Sequence, residues 1–188
     1  MLRALLAALC ALALAACSAS QDSASAGPGY VAGDGLATVV PVAEREPAPR
    51  VEADTLDGQR VALADFDGPV VVNFWASWCG PCAREAPALQ AVADAYADRG
   101  VAFMGVNVKD QPAAARNFEQ DFGVEYASWY DEAAAIAASF GGIGPGALPS
   151  TLVLDADHRV AVRLFGAVDE PRLARHLDAV LAEGGGAG

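Results

Sequence analysis

One stretch restricts the fold more than any other. Val70 to Trp75 is an almost unbroken apolar run, and it leads directly into Trp78-Cys79-Gly80-Pro81-Cys82. A strand with no polar alternation suits a sheet covered on both faces. Beyond Pro81, Leu89, Val92, Ala93 and Tyr96 recur at helical spacing up to about Arg99, and Gly100 is a natural stop. Two cysteines therefore fall where a buried strand hands over to the first turn of a helix.

The flanking sequence alternates in the same way. Arg50 to Leu56 and Gln59 to Leu63 surround Asp57-Gly58, a strong hairpin signal. Val101 to Val108 predicts a second buried strand. Gln111 to Phe122 predicts a helix with Pro112 in its first turn, and Glu132 to Phe140 a short helix stopped by Gly141-Gly142. Ser150 to Asp155 and Val160 to Phe165 predict strands joined by a turn over Asp155 to His158. Glu170 to Leu181 predicts a closing amphipathic helix. The expected class is α/β, a mixed parallel and antiparallel sheet flanked by helices, over residues 47–183.

The ends read differently. Arg3 followed by the apolar stretch Ala4 to Ala16 fits a signal peptide over residues 1–16, too short to span a bilayer comfortably. It closes on Leu14-Ala15-Ala16-Cys17, which resembles the lipobox of bacterial lipoproteins. That resemblance implies lipidation of Cys17 and attachment to the membrane by a lipid anchor. Residues 17–46, rich in Ser, Ala, Gly and Pro, are expected to form a flexible tether, and residues 184–188 a disordered tail. The net charge of −12 argues against nucleic acid as a partner. With Cys10 lost in the leader and Cys17 lipidated, one cysteine pair remains, as an oxidising compartment allows.

A thiolate at a helix N-terminus meets unpaired N–H groups and the positive end of the dipole, which lowers its pKa from about 8.5 into the range of roughly 3.5–7.5. Cys79, at the cap, is expected to be exposed and nucleophilic. Cys82, one turn in, is expected to be less exposed and to resolve mixed disulfides. Gly80-Pro81 fixes the turn between them. A zinc site needs four ligands, and His158 and His176 lack ligand spacing, so no metal is expected. Ala83, where haem attachment would need histidine, excludes that reading.

The segment Asn73 to Pro87 resembles the active-site segment of the thioredoxin superfamily. It resembles more closely the membrane-anchored thiol reductases related to cytochrome c biogenesis proteins, the TlpA/ResA/CcmG group. The similarity extends from about Arg50 to Leu181. Pro87 matches the helix-kinking proline, Leu148-Pro149 the cis-proline segment, and Phe165-Gly166-Ala167 a glycine near the active site. Asn107 to Asp131 matches the group's central insertion. The resemblance implies a thioredoxin-like fold and an extracytoplasmic thiol–disulfide oxidoreductase needing no cofactor beyond its own Cys79–Cys82 disulfide.

It implies protein thiols and disulfides as substrates, a membrane thiol protein as electron donor, and substrate contacts at Trp78, Gly80, Pro81, Leu148 and Pro149. It also departs from thioredoxin. The buried aspartate that thioredoxins place six residues before the first cysteine is Asn73 here, and an amide cannot take up a proton. Glu85, three residues after Cys82 on the same helix face, matches the glutamate of the membrane-anchored group and is the expected proton acceptor. Reduction, as in cytochrome c maturation, is favoured over oxidation of secreted thiols. A thiol peroxidase or a copper-binding module on the same fold fits the residues less well.

Overall fold

The structure, a computed structural model, describes residues 37–141 and 145–184. The expected signal peptide, Cys17, most of the tether and the last four residues lie outside the described residues.

The run at 70–75 becomes β4 (Val70–Trp75), buried at every position. Because side chains alternate across a strand, it feeds two cores at once. Val70, Val72 and Phe74 join Met104, Val106, Leu152, Trp129 and Phe140 on one face. Val71 joins Phe103, Val153, Leu89, Val92 and Leu177 on the other. The remaining strands are β1 (Ala37–Val39), β2 (Glu52–Asp54), β3 (Arg60–Ala62), β5 (Ala102–Val108), β6 (Ser128–Asp131), β7 (Ser150–Leu154) and β8 (Val160–Phe165). Six of them form one sheet in the order β1-β8-β7-β4-β5-β6, while β2 and β3 pair separately as the expected hairpin. β4, β5 and β6 run parallel; β7 is antiparallel to β4 and β8, and β1 is antiparallel to β8.

The helices are α1 (Gly80–Ala97), α2 (Pro112–Phe122), α3 (Ala135–Ser139) and α4 (Glu170–Gly184). α1 and α4 supply Leu89, Leu173 and Leu177, all almost fully buried, each worth about 1.5–3 kcal/mol of burial. α3 closes the opposite face through Ala137, beside Phe140. It is shorter than the expected helix because Asp131 intervenes: its two oxygens accept from the N–H groups of Ala135 and Ala137, both at 2.8 Å, and cap the helix there. The hairpin turns at Gly58, whose φ of +77° suits glycine. It is fastened to the core by the Trp129 indole donating to Val61 O at 2.9 Å.

Two expectations need correction. The segment read as tether up to residue 46 is folded from Ala37 onward: β1 pairs Ala37 with Leu164 and Val39 with Val162. Arg45, whose side chain is 2% exposed, then locks the segment to Asp155 at 3.3 Å and to Glu183 at 2.7 Å. A three-residue edge strand leaves too little periodicity to see in sequence. At the other end, α4 runs on to Gly184 rather than stopping at Leu181. The insertion also contains a strand, β6, not anticipated from its mixed composition.

Removing Arg45 leaves Glu183 without this partner and strips one of the two arginines from buried Asp155. Arg45→Ala is expected to lower stability by about 1–3 kcal/mol in urea unfolding. An unchanged midpoint would mean that the β1 segment is not tied to the domain.

Candidate active site

The site forms where β4 ends. Ala76 to Trp78 turn the chain, and Cys79 becomes the N-cap residue of α1: Cys79 N donates to Ala76 O at 3.1 Å, and Cys79 Sγ accepts from Cys82 N at 3.3 Å. The sulfur thus sits against the unpaired N–H groups of the first turn, where a negative charge is favoured. Cys79 and Cys82 are joined as a disulfide with Cα atoms 5.3 Å apart. In this state Cys79 is 5% exposed and Cys82 1%. The order is the expected one, but Cys79 is not the open thiol that its cap position suggested, because the bridge folds its sulfur back onto the helix.

Gly80 and Pro81 differ in what they do. Pro81 lies in the first turn, where a missing N–H costs nothing. A Cβ at Gly80 would meet nothing within 4 Å, and Gly80 is not among the positive-φ residues, so glycine is not what makes the turn. Pro87 lies inside α1, as expected.

The insertion holds the turn from the side. Asp110, just beyond β5, accepts from Ser77 N, from Ser77 Oγ at 2.7 Å, from Asn107 Nδ2 at 2.9 Å and from Gln111 N at 2.8 Å. Those donors hold its carboxyl below the usual aspartate range although burial opposes the shift. Trp78, 53% exposed, donates its indole N–H to Lys109 O at 3.0 Å. Tyr130 donates to Asp110 O at 3.0 Å. Asp110 was not singled out from sequence; the signal available was Asn107, a polar break in an apolar strand.

Leu148 packs against the cluster that contains both cysteines. The Leu148–Pro149 bond is cis, and Pro149 O accepts from Gly166 N at 2.9 Å. Phe165, at the end of β8, pairs with Ser150 and is partly exposed on the same strand end.

Glu85 lies on α1, one turn beyond Cys82. It is 1% exposed. Oε1 accepts from Asn73 Nδ2 at 2.9 Å, and Oε2 accepts from Val168 N at 3.0 Å. Burial pushes its carboxyl up to about 7, and the two donors pull the other way without cancelling that. Asn73 also donates to Thr151 Oγ1 at 3.1 Å, so its amide hydrogens are committed to orienting Glu85 and the neighbouring strand. Asn73 was noted in sequence for what it cannot do; its role as a donor, and that of Val168 N–H, required the fold. Among the described residues, no three His, Cys, Asp or Glu side chains come together to hold a metal ion.

Comparison with known proteins places this geometry in a family. The profile of the AhpC/TSA family matches residues 45–163. A thiol-disulfide oxidoreductase ResA of Bacillus thuringiensis is 28% identical over 131 residues, covering 69% of this chain and 74% of that protein. The ResA of Geobacillus thermodenitrificans is 29% identical over 140 residues, covering 74% of this chain and 79% of that protein. Among solved structures, a DsbF homologue from Corynebacterium diphtheriae superposes with a TM-score of 0.73 at 32% identity, covering 80% of this chain and 96% of its own. A secreted thiol-disulfide isomerase from Corynebacterium glutamicum gives 0.73 at 30% identity, covering 84% and 96%.

The raised carboxyl of Glu85 has a consequence for stability. Its folded pKa, about 7, lies above the value of 4.5 for a free glutamate, so between those values the folded state holds a proton that the unfolded state has lost. Stability therefore falls as pH rises from about 4.5 to 7 and levels off above, by on the order of 3 kcal/mol from this group. Urea unfolding at both ends of that window is expected to show a smaller fall in Glu85→Gln than in wild type. An identical fall in both would show that Glu85 is not titrating in that range.

Proposed function

Because the chain belongs to the AhpC/TSA family of thioredoxin-fold proteins and carries a Cys-x-x-Cys disulfide at the cap of α1, it is a thiol–disulfide oxidoreductase, and we propose that it acts outside the cytoplasm as a reductase of protein disulfides. One observation carries the direction: Cys79 and Cys82 enclose Gly80-Pro81, the dipeptide of thioredoxin, which is strongly reducing. Glu85, buried one turn beyond the resolving cysteine with its carboxyl poised near neutrality, supplies proton transfer for the exchange.

In the reduced protein the Cys79 thiolate, stabilised by the helix N-terminus, attacks one sulfur of a substrate disulfide. The Cys79–substrate bond forms, the substrate S–S bond breaks, and the departing sulfur takes a proton. Cys82 then passes its proton to the Glu85 carboxylate and attacks Cys79 Sγ. That attack forms the Cys79–Cys82 bond and breaks the Cys79–substrate bond, and the released substrate sulfur takes a proton from solvent, which leaves the substrate as a dithiol. Two electrons have moved from the protein to its substrate, and a membrane thiol protein returns them. Trp78, Gly80 and Pro81 on one side and Leu148 and Pro149 on the other form the surface on which an extended substrate segment lies. Cys17 carries a lipid that holds the domain at the membrane, with residues 18–36 as the tether; cytochrome c maturation is a process this arrangement serves.

Insulin reduction against peroxide consumption tests the reading. The protein is expected to reduce insulin and to leave peroxide unconsumed. Cys79→Ser is expected to abolish the reaction, Cys82→Ser to stall it as a mixed disulfide, and Glu85→Gln to slow it near neutral pH by at most about 10²-fold. Peroxide turnover without insulin reduction would replace the reading with a peroxidase.

The anchor has its own test. Fractionation of the native host is expected to find the wild type in the membrane and Cys17→Ala released. Release of both alike would remove the lipid from the account.

A further inference from the structure

A polar row crosses the sheet beneath the active-site helix. In register from strand to strand stand Thr151, Asn73, Gly105 and Ser128. Thr151, Asn73 and Ser128 are buried, so each must be hydrogen-bonded. One end of the row is held by Glu85, through Asn73. The other end is held by a second carboxylate. Ser128 Oγ donates to Glu119 Oε1 at 2.8 Å and accepts from Trp75 Nε1 at 3.2 Å. Gly105 lies between, where a Cβ would fall 2.2 Å from Ser128 Oγ and 2.9 Å from Trp75 Nε1. The glycine leaves the space through which the serine–indole bond passes. Trp75 stacks on Phe118 of α2 with ring centroids 4.6 Å apart, and it belongs to the same packed cluster as Cys79 and Cys82.

We infer that Glu119 is a positioning residue for disulfide exchange: its carboxylate, through the Ser128 hydroxyl, fixes the Trp75 indole beside the cysteine pair, and its protonation loosens that hold. The inference rests on the oxidoreductase reading but not on Glu85. Ser128 has one hydroxyl hydrogen. An ionised Glu119 can only accept, so it draws that hydrogen toward itself and leaves the serine lone pair facing the indole N–H. Protonation replaces a charge-assisted bond by a neutral one and removes the reason for that orientation.

Satisfying an indole N–H does not by itself require a carboxylate, since a neutral acceptor would serve at less cost of burial. The charged groups around Glu119 also leave it responsive. Burial pushes its carboxyl up to about 7, the Ser128 bond pulls down, Asp57 in the hairpin turn pushes up and Arg116 on its own helix pulls down. Burial pushes up the phenol of Tyr126, on the loop before β6, and Glu85 and Glu119 push it further the same way, so it stays neutral throughout.

The test follows the Trp75 indole N–H by NMR across neutral pH in the full protein, alongside insulin reduction at each pH. In wild type the resonance is expected to move with a midpoint near 7. In Glu85→Gln it should still move. In Glu119→Gln, which keeps an acceptor but no charge, it should stay still. Ser128→Ala should remove the response while leaving the carboxylate in place, and it serves if the glutamine variant folds poorly. Glu119→Gln should reduce insulin as wild type does below neutrality and about fivefold more slowly above it, the difference between a charge-assisted and a neutral bond. An indole that titrates unchanged in Glu119→Gln or Ser128→Ala, or a wild-type pH–rate profile in Glu119→Gln, would overturn the inference. A wild type inactive on insulin whose indole shift still depends on Glu119 would overturn the functional reading while supporting the coupling.

Discussion

A carboxyl group in the interior is expensive, and Glu85 is almost wholly buried. The fold accepts that cost and arranges itself around it. Asn73 projects from the middle of a strand buried along its whole length to meet one oxygen, and the loop entering α4 brings Val168 N–H to the other. Two donors orient the group without restoring its ordinary acidity, which leaves it able to exchange a proton near neutral pH. Because Glu85 lies one turn beyond Cys82 on α1, the helix that Cys79 caps also carries this carboxyl. Sheet, helix and closing loop thus converge on one carboxyl group.

The insertion between β5 and β6 works from the opposite side. It is not an ornament on a thioredoxin sheet, since β6 extends that sheet and α2 packs its Ala115 and Phe118 into the cluster around the cysteines. Asp110, at its entrance, fastens the turn before Cys79 by its backbone and side chain. Two carboxyl groups of opposite character thus adjoin the cysteine segment, Asp110 bonded to Ser77 before it and Glu85 one turn beyond it on α1. Asp110 is held ionised by its donors, whereas Glu85 is held near its titration point by burial.

Much of this was legible in sequence. The apolar run at 70–75 announced a two-sided strand, and the cysteine pair at its end announced a helix cap. The glutamate three residues past Cys82 could be placed on the right helix face by counting. Its burial could not, because that depends on Asn73 and Val168 reaching it from distant parts of the chain. β1 was missed since three residues in an Ala-rich stretch carry no period, and Arg45, which donates to Val40 O, ties the segment to the domain through distant partners at residues 155 and 183. β6 was missed because Ser128 and Asp131 are polar positions buried for hydrogen-bonding reasons, which breaks the apolar pattern of a strand. Glu119 looked like any charge on a surface helix; only the register that sets Ser128 opposite Gly105 gives it a partner.

A dithiol built to donate electrons must hold them loosely, and a helix cap that stabilises the thiolate too strongly would turn the same pair into an oxidant. The midpoint potential of the Cys79–Cys82 couple, measured at neutral pH against glutathione or thioredoxin, decides between these. A value near that of thioredoxin, about −270 mV, is expected of a reductase; a value near about −120 mV, as in DsbA, would contradict it and make the protein an oxidant of secreted thiols.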